Sequence, residues 1–218
     1  MPAVDGDVVR ILSELAATAT GRRFRLAGGT ALALQLGHRR SNDLDYFAFT
    51  PRVNSASVLA DIERLKPAIG TAVIASVESG QLDVEVGPSK RKLSFIAYPF
   101  PPLTDPVEIH GQRCSSAIEV AAMKAYTIGR RAAARDYVDI EATITLAGTD
   151  IGDVIAEASR RFVLDGEPVF SERLFLQQIV DVSDISDSSG LVLLRSTWDE
   201  IVASLRQIVA SYVNRQIG

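Results

Sequence analysis

FRLAGGTALALQLGHRRSNDLDYFAF, residues 24–49, is the stretch from which the rest of the chain is read. A short apolar run, Phe24 to Ala27, leads into Gly28, Gly29 and Thr30; an apolar helical segment follows to Leu36, then a turn at Gly37, then a second apolar run that carries Asp43 and Asp45. The order is strand, glycine turn, short helix, strand. Glycine has no side chain to hold a ligand away from the backbone, and free N–H groups at a helix start attract phosphate oxygens. Successive side chains of a strand point to opposite faces, so Asp43 and Asp45 share one face. Two carboxylates side by side repel each other unless a cation sits between them, and hard oxygen ligands beside a phosphate site suit Mg²⁺, or Mn²⁺ in its place. The stretch thus predicts a site for a metal ion and a nucleoside triphosphate (NTP). The alternative, a plain turn and two surface aspartates, would set like charges on one strand face, which destabilises.

The chain has 218 residues, enough for one large domain or two small ones. Hydrophobic residues at 47% and charged residues at 23% are ordinary for a globular protein with a sizeable core. A net charge of −4 argues against a nucleic-acid binder over the whole surface and leaves room for a local basic patch. Cys114, the one cysteine, cannot form an internal disulfide. With only His38 and His110 beside it, zinc is not expected. The first twenty residues are amphipathic and lack a basic start before an apolar core, and the chain has no apolar run of bilayer-spanning length. A cytoplasmic protein with no membrane partner is the expectation.

Val8, Val9, Ile11, Leu12 and Leu15 recur at helical spacing, with Gly21 as a stop. Asn54 and Ser55 can cap a helix that ends before Pro67. In residues 71–98, Leu82, Val84 and Val86 alternate with Asp83 and Glu85, and Leu93, Phe95 and Ala97 alternate with Ser94 and Ile96. The intervening GPSKRK is a basic turn, read as solvated, with a nucleic-acid grip as the alternative for Lys90, Arg91 and Lys92. Pairing Gly87 with Lys92 places Val86 opposite Leu93, Val84 opposite Phe95 and Glu85 opposite Ser94, with every apolar residue on one face. The Pro-rich YPFPPLTDP, 98–106, closes this part. Beyond it helices are expected from a capping box at Ser116–Glu119 to about Gly129, from 133 to 146, and near 151–162, 171–181 and 197–216, the last with a capping box at Thr197–Glu200. Residues 183–190 are expected to be a loop.

GGTALALQLGHRRSNDLDYF resembles the first motif of the AbiEii/AbiGii toxin nucleotidyltransferases, a branch of the DNA polymerase β-like superfamily: a glycine pair, a short helix and Asp-x-Asp, with Arg39 and Ser41 matching within G-H-R-x-S-x-D-x-D. The resemblance implies an α/β (α+β) nucleotidyltransferase core with a small mixed sheet over 1–106 and a mainly helical half over 107–218. Some relatives carry a third acid in the strand before Tyr-Pro, here Tyr98-Pro99; Ser94 stands in its place, so Glu85 is the expected substitute. The alternative makes Asp83 and Glu85 the wet face of a hairpin.

MKAYTIGRRAAARDYVDI, 123–140, resembles the family's second block through Lys124, Arg131, Arg135, Asp136 and Asp139. Lys124 and Arg131, seven residues apart, would share a face of an unbroken helix. Lys124 sits among alanines and a methionine, where an isolated charge is costly but one facing a triphosphate is not. The bland alternative is a surface helix with an Arg135–Asp139 pair; Asp139 could also orient an arginine. His38 is expected to be an exposed turn residue.

The expected function is transfer of a nucleoside monophosphate from an NTP to an acceptor. Asp43 and Asp45 would hold the metal, with Glu85 as third acid. Gly28, Gly29 and Thr30 would receive phosphates, and Lys124 with Arg39, Ser41 or Arg131 would offset their charge. The resemblance implies the toxin of a bacterial toxin–antitoxin or phage-defence pair, with a cognate antitoxin as partner and, for some relatives, a tRNA 3′ end as acceptor. Two alternatives are a non-catalytic nucleotide- or partner-binding module, favoured by Ser94, and an antibiotic-type small-molecule nucleotidyltransferase.

Overall fold

The computed structural model describes residues 2–128, 130–131, 133–183, 185 and 191–217. Most of the expected loop at 183–190, and Gly129 at the expected helix end, lie outside the described residues. The chain forms two compact units, one built from Pro2–Leu34 with Ser41–Ser116, the other from Gln35–Arg40 with the chain from Ala117 onward.

The first unit contains α1 (Gly6–Ala16), α2 (Ala19–Arg23), β1 (Arg25–Ala27), most of α3 (Gly28–Leu36), β2 (Leu44–Ala48), α4 (Ser55–Ile69), β3 (Ala72–Val77), β4 (Gln81–Val86), β5 (Arg91–Ala97), β6 (Val107–Ile109) and β7 (Gln112–Cys114). Its strands form one sheet in the order β3-β4-β5-β2-β1-β7-β6, parallel at β2–β5 and β1–β7 and antiparallel elsewhere. A mixed sheet is what the sequence led one to expect, but it runs to Cys114, past the Pro-rich stretch that was expected to close the core at 106. The β6–β7 hairpin returns beside β1, since Leu26 pairs with Cys114.

Local chemistry accounts for the helices. Val8, Ile11, Leu12 and Leu15 form the buried stripe of α1. The Asn54 side chain accepts from the Ser57 N–H and starts α4. That helix continues through Pro67 instead of stopping before it, because the proline falls in the last turn, shortly before Gly70 at φ +87°. In the sheet, Leu44, Tyr46 and Ala48 of β2 join Leu82, Val84, Val86, Leu93 and Phe95 in the core. Tyr46 stacks on Phe95 at 5.3 Å, and Phe24 meets Phe95 edge-on at 5.4 Å.

The β4–β5 register differs from the expected one by two residues: Asp83, not Glu85, pairs with Ser94, Glu85 pairs with Lys92, and Val84 with Leu93. A two-residue slide preserves which face each side chain occupies, so alternation could not tell the two registers apart. A four-residue turn, with Gly87 at φ +73° and Lys90 at φ +49°, selects the observed one. The basic turn is not a free cationic grip. Arg91 donates to Asp5 at 2.7 Å and Asp7 at 2.9 Å, and Lys92 pairs with Asp83 at 3.1 Å.

The second unit is helical: α5 (Ala117–Thr127), α6 (Ala134–Leu146), α7 (Ile151–Arg161), a short hairpin of β8 (Val163–Leu164) and β9 (Glu167–Pro168), α8 (Glu172–Val180) and α9 (Trp198–Ile217). Its core includes Tyr137, Ile140, Val154, Phe175, Ile201 and Leu205. The capping box foreseen at Thr197 forms: Glu200 accepts from the Thr197 N–H at 2.8 Å and Thr197 Oγ1 from the Glu200 N–H at 3.3 Å. Glu119 is fully buried and ion-paired with Arg161 at 3.1 Å. Arg39 forms a β-bridge with Leu193, which places residues 35–40 in this unit. No helix among the described residues is long and apolar enough to cross a membrane.

Phe95 is fully buried between two aromatic rings. Phe95→Ala is expected to lower the unfolding free energy by about 3–5 kcal/mol. Urea titration followed by circular dichroism measures this, and a loss below ~1 kcal/mol would place Phe95 outside the sheet core.

Candidate active site

Gly28 sits at the junction of β1 and α3 with φ +67°, a conformation side chains rarely adopt. A Cβ placed there would lie 2.7 Å from Asp45 Oδ2, so the carboxylate rests directly against the glycine backbone. The β1–β2 register explains the approach, since Ala27 pairs with Asp45. Thr30, two residues on, is buried; its hydroxyl donates to the Asp43 carbonyl and lies 2.9 Å from the Ser41 hydroxyl. Both hydroxyls tie the glycine-turn helix to the segment entering β2. The Thr30 and Ser41 hydroxyls, expected at a phosphate, are engaged within the protein.

Asp43 is exposed just before β2, and Asp45 is half-buried within it. Their outward side is opposite the buried Leu44, Tyr46 and Ala48. Among the described residues no third acid, histidine or cysteine completes a metal-binding group. Two carboxylates beside a glycine backbone suit one hard divalent ion whose remaining positions are filled by water and phosphate oxygens.

On β5, Ser94 is the residue beside Asp45. On the far side of Ser94 lies Asp83, which accepts from Gln81 Nε2 at 2.9 Å and Ser76 Oγ at 3.2 Å and pairs with Lys92. Burial works to raise the Asp83 carboxyl, but hydrogen bonds from Gln81, Ser94 and Lys92 and the lysine charge hold it below the usual range. Glu85, expected beside Ser94, lies a further step along β4 opposite Lys92. Sequence reasoning treated Asp83 as a wet-face residue; turn length was the one signal that could have found it.

The second sequence block builds a separate charge cluster within the helical unit. Asp139 is fully buried and takes Arg39 in a two-point contact, Nε at 2.7 Å and Nη2 at 2.9 Å. His38 Nε2 lies 2.8 Å from the same carboxylate, and Lys124 Nζ 3.2 Å from it. Asp136, also fully buried, receives Lys124 at 2.6 Å and Arg131 at 2.9 Å and 3.1 Å. Burial pushes both carboxyls up, but the Lys124 charge, with His38 and Arg39 at Asp139 and Arg131 at Asp136, leaves both below the usual range.

His38 is therefore buried, not an exposed turn residue. Arg39, whose Nη1 also donates to the Arg40 carbonyl at 3.1 Å, is an internal strut and not a phosphate ligand. Lys124 has three N–H donors, of which Asp136 and Asp139 occupy two. Helix α5 ends at Thr127, so Lys124 and Arg131 do not share an unbroken helix; they converge because both reach Asp136. Arg135 points outward, and the Asp139 oxygens face Arg39, His38 and Lys124 in preference to it.

A mixed sheet with a glycine turn against an Asp-x-Asp strand defines a nucleotidyltransferase fold. The chain belongs to the family described as nucleotidyl transferase AbiEii toxin, type IV TA system, whose profile matches residues 10–207. A protein of Aquifex aeolicus (strain VF5), aq_aa25, of uncharacterised function, is 30% identical over 134 residues. That match covers 60% of this chain and 62% of the relative, so the chain spans about three fifths of the relative's length. Among solved structures, JHP933 of Helicobacter pylori superposes with a TM-score of 0.63 at 18% identity over 96% of this chain and 91% of that one. An H. pylori protein assigned as a nucleotidyltransferase gives 0.62 at 17% over 94% and 90%. At these identities the likeness is one of fold.

Asp139→Asn removes a carboxylate on which three cationic or polar side chains converge. Removing one partner of a buried ion pair costs about 3–5 kcal/mol, and that loss is expected at pH 7. Because the native carboxyl is held low, its stabilisation is complete above the unfolded value of about 4 and fades as pH falls toward the folded value. Thermal melts between pH 7 and pH 3 should thus show the gap between wild type and variant steady down to about pH 4 and beginning to narrow below it. A gap that is constant with pH would contradict the charge origin.

Proposed function

We propose that this protein transfers a nucleoside monophosphate from an NTP to an acceptor hydroxyl, as the toxin of a toxin–antitoxin pair. The observation that supports the reading is the contact between the Gly28 backbone and the Asp45 carboxylate, which sets a glycine turn against an acidic strand. Asp43 and Asp45 would hold Mg²⁺ or Mn²⁺. When bound, that ion neutralises phosphate oxygens and lowers the pKa of an attacking hydroxyl. Gly28 and Gly29 admit the triphosphate to the backbone, and Thr30 and Ser41 fix the segment carrying Asp43. The acceptor oxygen attacks the α-phosphorus and pyrophosphate leaves with its charge. By the resemblance of its sequence block, Lys124 is the proposed partner of that charge. Asp136 and Asp139 hold the ammonium in place, and Arg131, half-exposed, is the second candidate.

The family supplies the toxin reading and the expectation of a cognate antitoxin. A tRNA 3′ end is the proposed acceptor and phage defence the proposed setting. A second reading, an NTP-binding module without transfer, is favoured by one observation: among the described residues no third acid, histidine or cysteine groups with the two carboxylates at the turn.

Incubation with each α-labelled NTP, Mg²⁺ and total RNA separates the readings. Label in tRNA-sized bands supports the toxin enzyme, label on a small molecule points to an antibiotic-type activity, and NTP binding with no label transferred supports the module. Asp43→Asn and Asp45→Asn are each expected to reduce transfer roughly 100-fold or more, the scale of losing one electrostatic stabiliser. Their melting temperature should equal or exceed that of wild type, because a like-charge repulsion is relieved. Full activity in either variant would remove that aspartate from the site.

A further inference from the structure

His38 and Asp139 meet inside the helical unit, yet His38 has no part in the scheme above. Asp139 is fully buried, and donors crowd both of its oxygens. Oδ1 faces His38 Nε2 at 2.8 Å and Arg39 Nε at 2.7 Å; Oδ2 faces Arg39 Nη2 at 2.9 Å and Lys124 Nζ at 3.2 Å. An ionised carboxylate offers about four acceptor positions, so His38 completes the set. A carboxylate can only accept, so the ring nitrogen that meets it carries the proton. Nδ1 is buried with no hydrogen-bond partner among the described residues, and a second proton there would be an unsatisfied donor. The ring therefore serves as the Nε2–H tautomer.

We propose that His38 is a positioning residue for Lys124: its Nε2–H locks the Asp139 carboxylate in the orientation that presents Oδ2 to the ammonium. The inference rests on the reading of Lys124 as the partner of the pyrophosphate charge.

Arg39 grips Asp139 as a planar fork, which leaves the carboxylate free to hinge about the line through its two contacts. His38 adds a third contact, on Oδ1, and closes that hinge. The setting of Oδ2 matters for what it does to the lysine. Lys124 reaches Asp136 at 2.6 Å and Asp139 at 3.2 Å. Its three N–H groups are tetrahedrally arranged, so two fixed directions determine the third. Asp136 alone, which Arg131 also occupies, would leave the ammonium turning about one contact. His38 is 4% exposed, too little surface to meet a triphosphate, so its effect passes through Asp139.

The test is titration calorimetry of the intact protein with inorganic pyrophosphate and Mg²⁺, which needs no turnover. Affinity separates positioning from folding, because a partly unfolded variant has fewer sites and not weaker ones. Lys124→Ala, the control, is expected to weaken pyrophosphate binding about tenfold or more, the scale of losing one hydrogen bond to a charged group. His38→Leu, which fills the place of the ring without a donor, is expected to weaken it by up to about the same factor. His38→Gln, whose amide N–H reaches the Nε2 position, should bind as wild type does, and the shorter His38→Asn should behave as His38→Leu. The double variant of His38→Leu with Lys124→Ala should be no weaker than Lys124→Ala alone, since the histidine acts through the lysine. Nitrogen NMR of wild type, in which His110 is the one other histidine, should show His38 protonated on Nε2 and bare on Nδ1. If Lys124→Ala loses pyrophosphate while His38→Leu binds it as wild type does, this proposal falls and the Lys124 reading stands. If Lys124→Ala binds unchanged, or wild type does not bind, both fall. A double variant markedly weaker than Lys124→Ala, a His38→Gln as impaired as His38→Leu, or a proton on Nδ1 in place of Nε2 would each overturn the positioning role.

Discussion

The chemistry of the sheet unit depends on the two-residue period of β2. Leu44, Tyr46 and Ala48 are buried, and the residues between them point the other way. A slip of one residue would expose a tyrosine stacked on Phe95 and drive carboxylates into the core. Stranding an ionised carboxylate there costs several kcal/mol. The hydrophobic side of the strand therefore holds Asp43 and Asp45 outward, and the core that fixes the fold also aims the acids. β2 is hydrogen-bonded on both edges, to β1 and β5, so that aim is not left to a loop.

The two units treat charge in opposite ways. In the sheet unit Asp43 is an exposed carboxylate and Asp45 is half-buried against the Gly28 backbone. In the helical unit, two fully buried carboxylates face three permanent cations, Arg39, Lys124 and Arg131. A buried ion cluster is weak evidence for net stability, because desolvation offsets much of the attraction. What it does provide is geometry. Arg39 offers a planar fork that a carboxylate matches at two points, whereas Lys124 is a compact charge that can still be shared. The same aspartate thus fixes one cation fully and leaves its neighbour partly available.

What was legible in the sequence was local. The glycine pair, the helix and Asp-x-Asp lie within 26 residues, and each signals through its own backbone or charge. Capping and helical spacing likewise located α1, α4 and α9. What could not be read involved partners far along the chain. Alternation fixes the face of a strand but not its register, which is why Glu85 stood in for Asp83 opposite Ser94. His38 looks like a turn residue until Asp139, 101 positions later, is seen to bond it. The same distance hides the fact that residues 35–40 leave the unit that surrounds them in sequence.

The row running from the glycine turn toward the sheet edge shows a gradient that neither motif would suggest alone. Asp45, at the turn, is an acid beside backbone; Ser94 is neutral; Asp83 is an acid cancelled by Lys92. Coulomb energy falls inversely with distance, so Lys92 acts mainly on Asp83 and much less on Asp45, two strands away. At that end the Gly28 backbone, at φ +67°, lies against the Asp45 carboxylate, while Gly29 is buried. The Lys92–Asp83 pair is exposed on its lysine side and contributes little to folding. Its consequence is electrostatic: the charge of Asp83 is balanced within the sheet itself.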